Sequence, residues 1–217
     1  MIYYDIHTHQ PKVHEEDIAV ISLDLRYPDM WPELLYVSDS IYEYYSVGIH
    51  PWYPDQSLMT KVHELAPLPF VVAIGETGLD KTKDDFKLQQ DIFTEHIILS
   101  EKVKKPLIIH CVRALNELLH IRKATNPSMP WIIHGFRGKA ALAEQLMDAG
   151  LYLSFSATHN KDSLKAAWKQ HRLLAETDDI NTDIRHVYTQ IANNLDITQK
   201  ELSNEIERFF LSLFQRK

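Results

Sequence analysis

The chain has 217 residues, 45% hydrophobic and 24% charged, which is the balance of a globular protein able to bury a substantial core. Its net charge of −7 speaks against indiscriminate binding to duplex nucleic acid, which relies on clustered Lys and Arg, though not against a substrate phosphate held by metal ions. No apolar run approaches the ~20 residues that span a bilayer, no basic and apolar leader opens the chain, and the single Cys111 excludes an internal disulfide; the expectation is a cytoplasmic protein without membrane contact.

Tyr3 and Tyr4 lead a first strand into Asp5-Ile6-His7-Thr8-His9. Alternation along a strand predicts that Asp5, His7 and His9 point the same way, so that two imidazoles and a carboxylate converge on one ion. Residues 10–17 read as a loop, and Ala19 to Leu23 as a second strand. That connection is too short for a helical crossover, which predicts antiparallel pairing or a place outside the main sheet. From Asp24 to Glu43 the pattern is broken by Pro28 and Pro32 and predicts no element. Tyr44 to Ile49 is a strand running into His50-Pro51, and a helix is predicted over 57–66.

A strand–helix rhythm follows. An apolar run from Phe70 to Gly75 ends at Glu76, and a helix is predicted over 84–104. Leu107 to Ile109 ends at His110, a helix covers 114–124, and Trp131 to Ile133 ends at His134. A helix over 139–149 stops at Gly150, a good residue for a left-handed terminus. Next come a strand over 151–155, a helix over 163–170, and a strand over 172–175 leading into Glu176-Thr177-Asp178. Helices over 183–194 and 198–214 close the chain, the last with a Thr198/Glu201 capping box. Continuous apolar strands separated by helices predict a parallel sheet, and about seven or eight of them predict a reduced or distorted β/α barrel in one domain over 1–217.

His7, His9, His50, Glu76, His110, His134, Glu176 and Asp178 all fall at or just beyond the C-terminal end of a predicted strand. That rim is where a β/α barrel carries its active site. Imidazoles mixed with carboxylates suit zinc, manganese, cobalt or nickel and tolerate magnesium where carboxylates and water dominate, and the lone thiol excludes a structural zinc–thiolate site. Six candidate ligands exceed what one open ion can use but fit two. Glu76 is the candidate bridge between them, and Asp178 can both bind a metal and accept a proton from water.

These pieces resemble the TatD-type metal-dependent deoxyribonucleases, within the amidohydrolase-like barrel hydrolases. The matching segments are Asp5 to His9, Gly48-Ile49-His50-Pro51, Gly75 to Asp80, Pro106 to His110, His134 to Gly138, and Glu176-Thr177-Asp178, in the family's order. The resemblance implies a distorted TIM barrel and a two-metal hydrolase that cleaves phosphodiester bonds, with single-stranded DNA or DNA ends as substrate and Mg, Mn or Zn as metal. It implies that His7, His9, Glu76 and Asp178 hold one ion and that Glu76, His110 and His134 hold the second. His50 would contact the substrate phosphate, and Arg113 or Arg137 would add phosphate contacts unless they are surface charges. The chain departs from the family in being shorter, in lacking a helix after the first strand, in Asp179-Ile180-Asn181-Thr182 after Glu-Thr-Asp, and in Cys111-Val112-Arg113 after His110. The alternatives are a hydrolase of a small phosphoester, amide or lactone on the same scaffold, and a non-catalytic remnant that binds metal or a partner.

Overall fold

The structure is a computed structural model that describes residues 1–27 and 43–214. Eight strands form one sheet in chain order: β1 (Tyr4–Thr8), β2 (Ile18–Leu23), β3 (Glu43–Val47), β4 (Val71–Asp80), β5 (Leu107–Val112), β6 (Trp131–Ile133), β7 (Tyr152–Phe155) and β8 (Leu173–Ala175). Every neighbouring pair is parallel. Beyond β8 the Asp178 N–H donates to the His7 carbonyl and the His9 N–H to the Asp178 carbonyl, both at 3.0 Å, so β1 and the end of β8 all but close the sheet into a barrel. Helices α1 (Met59–Leu65), α2 (Phe86–Val103), α3 (Leu115–Thr125), α4 (Ala140–Asp148), α5 (Lys161–Lys169), α6 (Ile184–Leu195) and α7 (Gln199–Phe214) pack outside it. Among the described residues no helix is long and apolar enough to cross a membrane.

The predicted strands and helices from β3 onward appear with ends moved by a few residues, and the unassigned stretch falls largely outside the described residues. One expectation is corrected. β2 lies inside the main sheet, parallel to both β1 and β3, with no helix before it. The return is made by extended chain, which gains up to ~3.3–3.6 Å per residue against 1.5 Å in a helix. It is tied down where it re-enters the sheet: the Tyr3 N–H donates to Asp17 Oδ1 and the Ile18 N–H to the Tyr3 carbonyl.

The core is continuous through the barrel and its helical jacket. Trp131 of β6 is fully buried and meets Phe93 of α2 edge-on at 5.4 Å, while Phe210 of α7 packs on Tyr4 of β1 at 5.0 Å. Burying a large apolar side chain is worth ~1.5–3 kcal/mol, so these contacts fix each helix against its strand. The capping box forms: the Glu201 N–H donates to Thr198 Oγ1, and the Thr198 N–H to Glu201 Oε2. Gly150 takes a φ of +84° after α4, a region that penalises any side chain.

Candidate metal centre

β4 runs further than its apolar residues alone predict, through Gly75, Glu76 and Gly78 to Asp80, and is buried along its whole length. Gly78 makes this possible, because a Cβ there would lie 2.0 Å from the His110 carbonyl oxygen of β5. The β4–β5 register slips between Ile74 and Thr77, and the β1–β2 register between Asp5 and Thr8. Such bulges re-aim side chains at a barrel rim. Here they sit beside Glu76 and His7.

Glu76 stands at the middle of the cluster, and its two oxygens face different partners. Oε2 is 3.3 Å from His7 Nε2 and 3.2 Å from His9 Nε2. Oε1 is 2.8 Å from His134 Nε2, 2.9 Å from His50 Nε2 and 3.0 Å from His110 Nδ1. Asp178 completes the first side, its Oδ1 lying 3.7 Å from His7 Nε2 and 3.8 Å from His9 Nε2. The six expected ligands, contributed by β1, β4, β5, β6 and the segment after β8, therefore occupy one site. Asp5 is the exception on the first strand. Its carboxylate accepts from the Thr177 hydroxyl at 2.6 Å, the Thr177 N–H and the His7 N–H, and so binds the β1–β8 seam instead of an ion.

Two carboxylates stand behind the ligand rings. His110 Nε2 lies 3.1 Å from Asp80 Oδ2, and Asp80 is fixed by the Thr82 N–H and hydroxyl and by the Trp52 indole N–H at 2.7 Å. A carboxylate accepts only, so the Asp80 contact places the proton of a neutral His110 on Nε2. The Nδ1 lone pair then faces Glu76 Oε1, an acceptor against an acceptor, which is repulsive unless a cation lies between them. His134 Nδ1 is 3.6 Å from Glu176 Oε1, and Glu176 accepts from the Gly135 N–H. Asp80 lies four residues after Glu76 on β4, an even spacing that brings both to one side of the strand and is legible in the sequence.

The charges are held by one another. Burial works against the Glu76 carboxylate, but the charge on His134 and the donors of His134 and His50 keep it well below the usual range. Burial likewise opposes charge on His134, which Glu76 and Glu176 nonetheless raise well above the ordinary imidazole. His9 is raised as well: burial opposes its charge, and the Glu76 contact overcomes it. Asp80 is drawn down to about 2, since donors from Thr82, Trp52 and His110 outweigh its burial. His50 moves the other way: burial lowers it. Its Nδ1 accepts from the Trp52 N–H, so the neutral ring carries its proton on Nε2.

The donor set fits divalent metal. His7 is fully buried with neither ring nitrogen hydrogen-bonded, and His134 Nδ1 is also without a partner. An unsatisfied buried polar atom costs ~1–3 kcal/mol. Ligand atoms approach within 4.8 Å in the overlapping sets His7–His9–Glu76, His7–His134–Asp178 and His50–Glu76–His110. The sets share members, so the ligands form one continuous cluster, and His50 stands inside it.

A cavity of about 340 Å³ opens over the cluster, with Glu76, His110 and Asp178 in its wall. Arg113 and Arg137 are exposed and do not line it. The arginine that does is Arg26, from the loop after β2, where no strand pattern or motif marks it.

A nearly closed parallel barrel carries at its C-terminal rim a histidine–carboxylate cluster of the kind that holds divalent metal. The model of the TatD related DNase family matches residues 9–215, and the chain belongs to that family. It is 34% identical over 153 residues to an uncharacterized metal-dependent hydrolase of Buchnera aphidicola subsp. Acyrthosiphon pisum, covering 62% of this chain and 58% of that one. It is 32% identical over 177 residues to the uncharacterized metal-dependent hydrolase YabD of Bacillus subtilis, covering 75% and 68%. The chain spans about half the length of the first curated relatives it matches. Among solved structures, YjjV, a TatD homolog from Escherichia coli K12, superposes with a TM-score of 0.81 at 18% identity, covering 99% of this chain and 98% of that one. At that identity the likeness is one of fold.

Proposed function

We propose that the protein is a hydrolase of the TatD type that uses two divalent ions, Mg, Mn or Zn, to cleave phosphodiester bonds in single-stranded DNA or at DNA ends. The observation that carries this reading is the two-sided use of Glu76, with His7, His9 and Asp178 on one side and His110 and His134 on the other. His7, His9, Glu76 and Asp178 would hold one ion, and Glu76, His110 and His134 the other. Bound ions supply Lewis acidity at a phosphoryl oxygen and lower the pKa of the attacking water.

The chain's own groups do the rest. Asp178 faces the cavity from the β1–β8 seam and takes the proton of the water as general base. His50, whose Nε2–H meets Glu76 Oε1 in this structure, would turn that donor to a non-bridging phosphoryl oxygen, a role that suits a ring kept neutral by burial. Asp80 keeps His110 from turning. A second reading, hydrolysis of a small phosphoester, amide or lactone, is favoured by the cavity, whose 340 Å³ lies near the small end of the ~300–1,000 Å³ of ligand pockets.

The test is hydrolysis of single-stranded DNA, generic phosphodiesters and small esters, each with Mg, Mn or Zn, beside elemental analysis of the loaded protein. More than one equivalent of metal and cleavage of DNA are expected. A protein that never carries metal above background sinks the reading outright.

A further inference from the structure

The cavity mouth carries aromatic surface that hydrolysis itself does not use. Trp52 and Tyr53 follow His50-Pro51 directly, line the cavity and remain 44% and 49% exposed. Single exposed aromatics are ordinary, but these two are held in place. The Trp52 indole N–H is bonded to Asp80, the same carboxylate that fixes His110. The ring stands edge-on to His50 and His110, with centroids 5.1 and 5.9 Å away. The Lys83 ammonium lies over one face of the indole, 4.4 Å from its centroid, and is not among the residues that line the cavity. Beside it, the Arg26 guanidinium sits 3.7 Å above Tyr53 and is locked to Asp24. Much of the ordering that a ligand would otherwise impose on these side chains is already in place.

We infer that Trp52, with Tyr53 beside it, is a stacking platform for the unpaired base of the nucleotide whose phosphate enters the metal centre. This rests on the phosphodiesterase reading and deepens it. A planar apolar surface pinned through one carboxylate to a phosphate-processing cluster matches a ligand with a flat ring next to an anion. A sugar phosphate or a lactone has no such ring. Charge points the same way. Glu76, Asp178, Asp24 and Asp179 line the same cavity, so attraction for a polyanion is weak away from the ions and stacking must supply affinity. Stacking is tolerant of base identity. A base inside a duplex has no free face until it is extruded, so the platform selects single strands or frayed ends.

The experiment is equilibrium binding of cleavage-resistant phosphorothioate oligonucleotides to the metal-loaded protein. One oligonucleotide carries thymines, and the other has the same length and charge with abasic residues. The wild type is expected to prefer the base-bearing strand about tenfold, ~1.4 kcal/mol. Trp52→Ala should erase that preference by weakening the base-bearing strand alone. Trp52→Leu, which keeps apolar bulk without a flat π face, should do the same, and Trp52→Phe should keep most of the preference. Circular dichroism and metal content identify a misfolded variant, and the wild-type preference and the remaining variants then decide. Equal loss on both strands, or no preference in the wild type, overturns the platform. Failure of the phosphodiesterase reading shows separately, as unprotected DNA left uncut with every metal while the binding comparison still stands.

Discussion

Glu76 concentrates the chemistry of this site into one side chain, because each of its oxygens meets a separate set of imidazoles. Glu76→Gln preserves size and removes the charge that allows two cations to approach each other in a poorly screening interior. The expected outcome is loss of at least one equivalent of metal and a fall in kcat of about a hundredfold or more, ~3 kcal/mol, with an unchanged circular dichroism spectrum. Full activity would remove Glu76 from the bridging role. Asp80 acts one step back, through His110. Asp80→Asn weakens the acceptor that orients the ring, and outer partners of this kind typically carry ~10–100-fold in metal affinity or activity. Metal titration reads it, and wild-type affinity in that variant would reduce Asp80 to a structural role. His63 supplies the control: it is exposed on the last turn of α1, and His63→Ala should alter neither metal content nor turnover.

At the level of elements, the rim is held in place by contacts between helix and strand that no motif announces. His96 of α2 is fully buried, with Nδ1 2.7 Å from the Ile92 carbonyl and Nε2 accepting from the Ile49 N–H next to His50. The Ile49 contact requires the neutral ring, and burial lowers its pKa to about 4. The folded value lies below the unfolded value of about 6.5, so the stability it contributes is complete above 6.5 and is lost as pH falls toward 4. His96→Gln should flatten that part of the pH–stability curve, by up to ~3 kcal/mol between pH 7 and 4. Urea unfolding at a series of pH values measures it, and an unaltered slope would mean that other groups set the acid limit. Much of the sheet is legible in the sequence because parallel strands, covered on both faces, read as continuous apolar runs ending in His, Glu or Asp. β2 lies parallel to β1 although no helix joins them, because extended chain covers more distance per residue than a helical crossover. β4 runs past its predicted end at Glu76, where the apolar run stops, and Gly75 and Gly78 carry no side chain that marks the strand. In the barrel they admit the backbone of β5. Trp52, Tyr53 and Arg26 reach the cavity from segments between strands and helices, where side-chain direction has no period to read.

For the whole molecule, metal at the centre would do for the barrel what the sheet does not do alone. Seven strand pairs are joined by parallel ladders, whereas β1 and the segment after β8 meet through an isolated bridge and the side-chain contacts of Asp5 and Thr8 with Thr177 and Asp178. The candidate ligands lie on both sides of that seam, His7 and His9 on one and Asp178 on the other, with Glu76 on β4 between them. An ion held there would cross-link the first strand to the end of the last. It would also give His7 the partner that its buried nitrogens lack. Binding to the folded state alone stabilises it by mass action, ~2.7 kcal/mol when free metal exceeds its dissociation constant a hundredfold. For a chain of this length each kcal/mol moves Tm by about 2–4 °C, so chelation should lower Tm by roughly 5–10 °C. Amide exchange should locate the loss: the 176–180 segment and the end of β1 should open more often in the metal-free protein, while β5 and β6, with a neighbour on each side, should stay protected. Equal melting temperatures with and without metal, or loosening spread evenly over the sheet, would show that the seam holds without the ions.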